Sequence, residues 1–272
     1  MKLNIAWLYP DLMSTYGDRG NVIVLKKRCQ WRGIDVEVKR ISVQSKLDEL
    51  QNIDFIFMGG AQDTQQEIVN KDLFSGKGEE IKKLINNNIP ALFICGAYQF
   101  MGKYYLTAES KKLEGLGLFD LFTESSKVGE KRLIGNVMIK PICYCEEPNH
   151  NGTTKQSQSD CFSFDFAQLR NDKFEFVGFE NHGGRTYLGD KSQAFASVIK
   201  GYGNNGEDRT EGIRYKNAIG TYLHGPILPK NPEIADWLIE KALEIKYKKK
   251  IELSKLDDSL EYKARSNMIS RI

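Results

Sequence analysis

The chain has 272 residues, of which 40% are hydrophobic and 28% charged, with a formal net charge of +3. That composition is a globular protein's, long enough to bury a sizeable core, and so weak a charge lends no support to binding nucleic acid or membrane by electrostatics alone. No apolar stretch approaches the ~20 residues of a membrane span, the N-terminal apolar run is too short for a signal sequence, and the 5 cysteines at scattered spacings predict reduced thiols in the cytoplasm.

In chain order, Leu3–Tyr9 is apolar and predicts a first strand. YGDRGN, Tyr16–Asn21, is a turn feeding a helix that runs to Trp31; it lacks the spacing and lysine of a phosphate loop. Ile34–Ile41 alternates as a strand, and Phe55–Met58 is a short apolar run ending in Gly59-Gly60. Glu79–Ile85 has a helical pattern, and Ala91–Ile94 is another buried strand. Strands this apolar have no wet face. Alternating with helices, they predict an α/β fold with a mostly parallel sheet flanked by helices on both sides. The second half is strand-rich: Leu133–Ile139, Phe174–Phe179, Ala194–Ile199 and Ala218–Leu223.

Asn231 is placed to cap a last helix with Pro232 in its first turn, and Ala235, Leu238, Ile239 and Ala242 form its apolar stripe. Trp31, Phe55, Phe93 and Trp237 are expected in the core. Residues 148–160 are poor in apolar side chains and read as a loop insertion. The expected organisation is one domain over 1–247 and a charged tail, 248–272, opening with Lys248-Lys249-Lys250 and without a clear fold of its own.

Cys95 stands where the Ala91–Ile94 run ends, followed by Gly96, Ala97 and a short aromatic-rich helical stretch. Strand, nucleophile, small residues and helix is the pattern of a nucleophile elbow, in which a sharp turn lifts the side chain clear of the sheet. The start of a helix favours an anionic nucleophile, and the N–H after it can serve an oxyanion. From this stretch alone a buried core cysteine is an equal reading. Gly59-Gly60 falls at a strand's carboxyl end, where ligands of parallel sheets bind, although a plain turn explains it as well. A thiol nucleophile needs a base, and the chain has 3 histidines. His150 lies in a polar loop; His182 and His224 both follow strand-like segments, and position alone does not choose between them.

Several blocks together resemble class I glutamine amidotransferases of the cobyric-acid-synthase type, which have a flavodoxin-like fold. These are ICGAYQFMGKYY around Cys95, GFENHGGRT around His182, GTYLHGPILPKNPEIADWL around His224, YGDRGNVIVLKKRCQWRGI, FMGGAQDTQQE and GYGNN. The resemblance implies Cys95 as nucleophile and His224 as base. It implies backbone N–H groups of Gly60, Ala61 and Gly96 as oxyanion donors, with Gln99 and Arg132 binding substrate. L-glutamine would be hydrolysed for a MurT-like Mur-ligase subunit that amidates D-glutamate of lipid II, at the inner face of the membrane. No cofactor is implied for this chain, since ATP and Mg would belong to the partner. A free-standing thiol hydrolase of γ-glutamyl compounds, a cobyric-acid-type subunit and a scaffold that has kept only the fold remain as alternatives.

Two departures from that pattern stand out. Phe93 and Ala97 replace glycines around the nucleophile, with Phe93 expected to point away from the elbow. Pro226 replaces the glutamate two residues after the histidine, which predicts that a carboxylate of the partner subunit completes the site, with Glu180 next to test. Cys143, Cys145, His150 and Cys161 could be read as zinc ligands, but Cys-x-Cys is tighter than usual zinc spacing, so no metal is expected.

Overall fold

The structure, a computed structural model, describes residues 1–142 and 175–272 except 62, 110, 127 and 128. The first part alternates β1 (Lys2–Leu8), α1 (Arg19–Trp31), β2 (Asp35–Ile41), β3 (Phe55–Met58), α2 (Asp63–Asp72), α3 (Gly78–Asn86), β4 (Ala91–Ile94) and α4 (Gly96–Phe100). Shorter strands follow: β5 (Tyr104–Leu106), β6 (Lys112–Glu114), β7 (Leu121–Ser125), β8 (Leu133–Pro141), β9 (Phe176–His182), β10 (Gly184–Leu188), β11 (Ala196–Lys200) and β12 (Thr210–Glu211). Last come β13 (Ile213–Tyr215), β14 (Ala218–Thr221), α5 (Pro232–Tyr247) and α6 (Ser259–Ile269).

The central sheet has the order β13-β14-β4-β3-β1-β2, parallel except for the antiparallel edge strand β13. Strand alternation sorts its side chains between two cores. Leu3, Ile5, Trp7, Phe55, Phe57, Leu92 and Ile94 face α1 and α5. Ala6, Leu8, Ile56, Met58, Ala91 and Phe93 face the side covered by α2, α3 and α4. This two-sided burial is what the apolar runs predict, and it leaves the carboxyl edge as the place where polar groups can meet. Two further sheets, β10-β7-β5-β6 and β12-β11-β8-β9, carry the second half.

Three expectations are corrected. Trp31 is not in the core: it ends α1 on the solvent side and is 60% exposed, whereas Phe55, Phe93 and Trp237 are buried. Asn231 occupies the N-cap position of α5, but its side chain makes no cap bond. Its amide instead pairs with the backbone of Val177, accepting at 3.0 Å and donating at 2.8 Å, and so ties α5 to β9. The stretch after Lys248 is not without fold, since it forms α6 and is bound down by ions. The buried Arg28 guanidinium is shared between Asp236 of α5, at 2.7 Å, and Asp258 at the start of α6, at 2.5 Å. Arg265 of α6 grips Glu233 at 2.7 Å. The insertion at 148–160, the four zinc-ligand candidates and Phe174 lie outside the described residues. Among the described residues, no helix is long and apolar enough to cross a membrane.

Candidate active site

Four chain segments converge at the carboxyl edge of the central sheet. β4 runs straight into Cys95, whose φ of 51° and ψ of −107° are strained for a residue with a side chain, and α4 begins at the next residue. That is the elbow the motif predicts: strain at such a position persists only where surrounding structure enforces it. Here the Cys95 N–H donates to the Thr221 carbonyl at 2.8 Å, extending the β4–β14 pairing to the turn itself. Phe93 points away from the elbow, as expected, with its ring edge-on to Phe119 at 6.0 Å.

His224 follows β14 and is held by a two-bond bridge to the Phe179 backbone, at 2.7 and 3.2 Å. Its imidazole is fully buried. The Nδ1 proton is donated to Asp18 Oδ1 at 3.0 Å. Asp18, also fully buried, accepts the Gly60 N–H on Oδ2 at 2.8 Å. Burial alone would push the imidazole's pKa down, but the charge of the adjoining Cys95 and the bond to Asp18 raise it to about 10. Nε2 has no aligned hydrogen-bond partner among the described residues. Loose alignment of a nucleophile and its base is common before substrate arrives.

Asp18 overturns the expectation that a partner subunit supplies the third group. The carboxylate comes from the turn before α1, in the YGDRGN block, which reads in the sequence as a turn and as part of the family resemblance, with no role for Asp18. Pro226, which cannot orient an imidazole, packs instead on Gly20, where any side chain would meet its ring at 2.4 Å. That close approach brings the start of α1 against the loop after His224. The Gly59-Gly60 pair is needed for the same reason: a Cβ at Gly59 would lie 2.5 Å from the Met13 carbonyl, and one at Gly60 would lie 2.9 Å from His224 Cε1. Glu180, the other candidate, is occupied structurally, accepting the Tyr202 and Gly203 N–H groups at 2.8 and 2.9 Å.

Of the backbone N–H groups read from the resemblance as oxyanion donors, one is already engaged. The Gly60 N–H is spent on Asp18, so it cannot hold an oxyanion in this arrangement. Ala61 and Gly96 remain together, the Ala61 nitrogen lying 3.3 Å from where a Gly96 Cβ would stand. Gln66, which sequence reasoning passed over, lies against both: its amide donates to the Ala61 carbonyl at 3.2 Å, while its Oε1 is buried without a partner among the described residues.

Gln99 is buried beneath the elbow and donates to the Tyr222 hydroxyl at 3.0 Å. Arg132 stands at the exposed rim and donates to Asn181 Oδ1 and its carbonyl at 3.0 and 2.9 Å. Asn181 donates in turn to the Tyr16 hydroxyl at 2.9 Å, and the Tyr16 ring stands edge-on to His224 at 5.0 Å. The rim arginine is therefore linked to the buried histidine through two side chains. His182 lies further in, its Nδ1 bonded to the Gly184 carbonyl at 2.8 Å and its ring stacked on Tyr222 at 3.6 Å. Burial holds its pKa down. It packs beside the site near Glu180, as expected, and has no bond to Asp18 such as His224 makes.

A thiol, a buried imidazole and a carboxylate in relay, with paired backbone N–H groups beside them, can perform acyl transfer from an amide. Comparison with known proteins agrees. Residues 4–232 match the family described as CobB/CobQ-like glutamine amidotransferase domain. The subunit GatD of lipid II isoglutaminyl synthase (glutamine-hydrolyzing) from Staphylococcus aureus is 39% identical over 270 residues, 99% of this chain and 96% of that protein. Its Streptococcus pneumoniae counterpart is 38% identical over 95% of this chain and 87% of its own length. A probable cobyric acid synthase from Methanosphaera stadtmanae is 30% identical, but the match spans 70% of this chain and only 33% of that protein. Among solved structures, a glutamine amidotransferase superposes with a TM-score of 0.55 at 14% identity, covering 88% of this chain and 98% of that one. The glutaminase domain of Trypanosoma brucei CTPS does so at 0.53 and 13%, covering 93% and 96%. At such identities these likenesses concern the fold, and they bear out the class I amidotransferase architecture expected from the motifs. The chain belongs to the CobB/CobQ-like glutamine amidotransferase family.

Proposed function

We propose that this chain hydrolyses L-glutamine to glutamate and ammonia, and that the ammonia serves a MurT-like Mur-ligase subunit that amidates D-glutamate in lipid II. The observation that carries the chemistry is the buried relay from Asp18 through His224 to the strained Cys95. The near-full-length likeness to two GatD subunits supports the lipid II assignment over the cobyric acid one, whose relative is matched over a third of its length.

In this mechanism Cys95 Sγ attacks the carboxamide carbon as a thiolate, its proton already resting on His224 Nε2. The tetrahedral oxyanion is held by the Ala61 and Gly96 N–H groups, each worth roughly 10²–10³ in rate. The C–N bond then breaks, and His224 returns the proton to the departing ammonia, leaving a glutamyl thioester on Cys95. Water attacks that thioester with His224 as base, releasing glutamate and restoring the Cys95 thiolate beside the His224 imidazolium. Asp18 keeps the imidazole in one tautomer and stabilises its cation. Arg132 would offer its guanidinium to the substrate α-carboxylate at the rim, and Gln99 would support the pocket floor beneath the nucleophile. ATP and magnesium would be bound by the partner, and the reaction would run in the cytoplasm against a lipid-linked acceptor.

Purification from the native host tests the reading. A Mur-ligase-like chain should copurify, and glutamine with ATP should yield amidated lipid II. Glutamine hydrolysis with no such chain copurifying and no lipid II amidated would favour the free-standing hydrolase.

A further inference from the structure

Glu211, at the end of β12, is fully buried beside the catalytic segment. Its Oε1 accepts two bonds, from the Thr221 hydroxyl at 2.5 Å and from the Tyr222 N–H at 2.9 Å. Thr221 is itself central to the site. Its carbonyl receives the Cys95 N–H at 2.8 Å, and its hydroxyl oxygen receives the Leu223 N–H at 3.1 Å. One carboxyl oxygen therefore clamps the segment from which the nucleophile's backbone hangs and which leads directly into His224.

Clamping does not explain the rest of the side chain. Oε2 is buried with no hydrogen-bond partner among the described residues. An unpaired buried carboxyl oxygen is costly, and an amide could accept the same two bonds without a charge. The titratable groups acting on Glu211 are Glu180 from β9, which opposes its ionisation, and His224 from beyond β14, which favours it. Burial is the largest influence, and the carboxyl is pushed up to about 7. Its charge is thus at its most stable when His224 is an imidazolium, the form that the thiolate and the departing ammonia require.

We propose that Glu211 is a positioning residue of this site, clamping the Thr221–His224 segment and placing a second carboxylate charge, beyond that of Asp18, within reach of the catalytic imidazole. The proposal rests on glutamine hydrolysis by Cys95 and His224.

The test is Glu211→Gln in the full-length chain, which keeps shape and one acceptor oxygen but removes the charge. With only 3 histidines, the imidazole of His224 can be followed by nitrogen NMR as pH is varied. The variant should lower the His224 midpoint by roughly half a pH unit or more. It should lower kcat about tenfold with little change in KM, and bring the alkaline limb of the rate profile to lower pH. A folded variant with the wild-type midpoint and kcat overturns the proposal, as does a loss of thermal stability alone. If Glu211→Gln does not fold, Thr221→Val removes the clamped hydroxyl and leaves the carboxylate. It should lower kcat and shift the His224 midpoint, and a folded Thr221→Val unchanged in both overturns the proposal. If the wild-type chain hydrolyses no glutamine, the functional reading fails, while the histidine titration still tests whether Glu211 acts on His224.

Discussion

Asp18 and His224 are 206 positions apart yet share one buried hydrogen bond. Nothing local to either residue announces the pairing. The histidine's usual acid partner is two residues downstream, where Pro226 stands, and the aspartate sits in a turn whose glycines explain it without chemistry. Cys95 and His224 were legible because each lies in a contiguous block that resembles the family's. Asp18 was not, because its role depends on two glycine-mediated close approaches, of Gly20 to Pro226 and of Gly60 to the imidazole. The same contacts make Gly60→Ala a sharp test. Its Cβ would stand 2.9 Å from His224 Cε1 and 3.2 Å from Cys95 Cβ, and neither group can retreat within a packed interior. We expect a stability loss of about 1–3 kcal/mol in urea unfolding and at least a tenfold fall in kcat. A variant as active as wild type would show that the imidazole is not held where the structure puts it.

At the scale of elements, the strands that build the elbow were readable as unbroken apolar runs, because burial on both faces leaves no alternation to be confused with a loop. The short strands β5, β6, β7 and β10 were not seen, since three to five residues carry too little pattern to distinguish from a turn. The tail failed for a different reason. Its stability comes from ion pairs to distant helices, which composition reports only as charge. Arg28 holds two carboxylates, Asp236 and Asp258, and burial works against its charge while they sustain it. Arg28→Ala would leave Asp258 without its cation and Asp236 with Arg32 alone. Removing one partner of a buried ion pair costs about 3–5 kcal/mol. Urea unfolding should show a loss of that order, and α6 should become sensitive to protease before the rest of the chain. Wild-type stability in this variant would mean that the apolar contacts of Ile251 and Leu253 suffice to dock the tail.

For the molecule as a whole, the site carries its own stability cost. Glu211 has a folded-state pKa of about 7 against an ordinary 4.5. The folded state thus holds this proton more tightly than the unfolded chain does. Stability from this group is complete below pH 4.5 and is lost as pH rises through 7, by about 3 kcal/mol at most. Wild type should therefore lose more stability than Glu211→Gln between pH 4.5 and 8, as measured by urea unfolding at both values. Parallel loss in the two proteins would show that the carboxyl titrates normally. The central claim is that this chain contains a complete Cys95–His224–Asp18 relay for glutamine hydrolysis. Ammonia release from glutamine by the isolated, purified chain tests it most directly, with Cys95→Ala and Asp18→Asn compared under the same conditions. The account predicts measurable release by the wild type, none by Cys95→Ala, and a fall of roughly 10²–10⁴-fold in kcat for a folded Asp18→Asn. Asp18→Asn hydrolysing glutamine at the wild-type rate would contradict it.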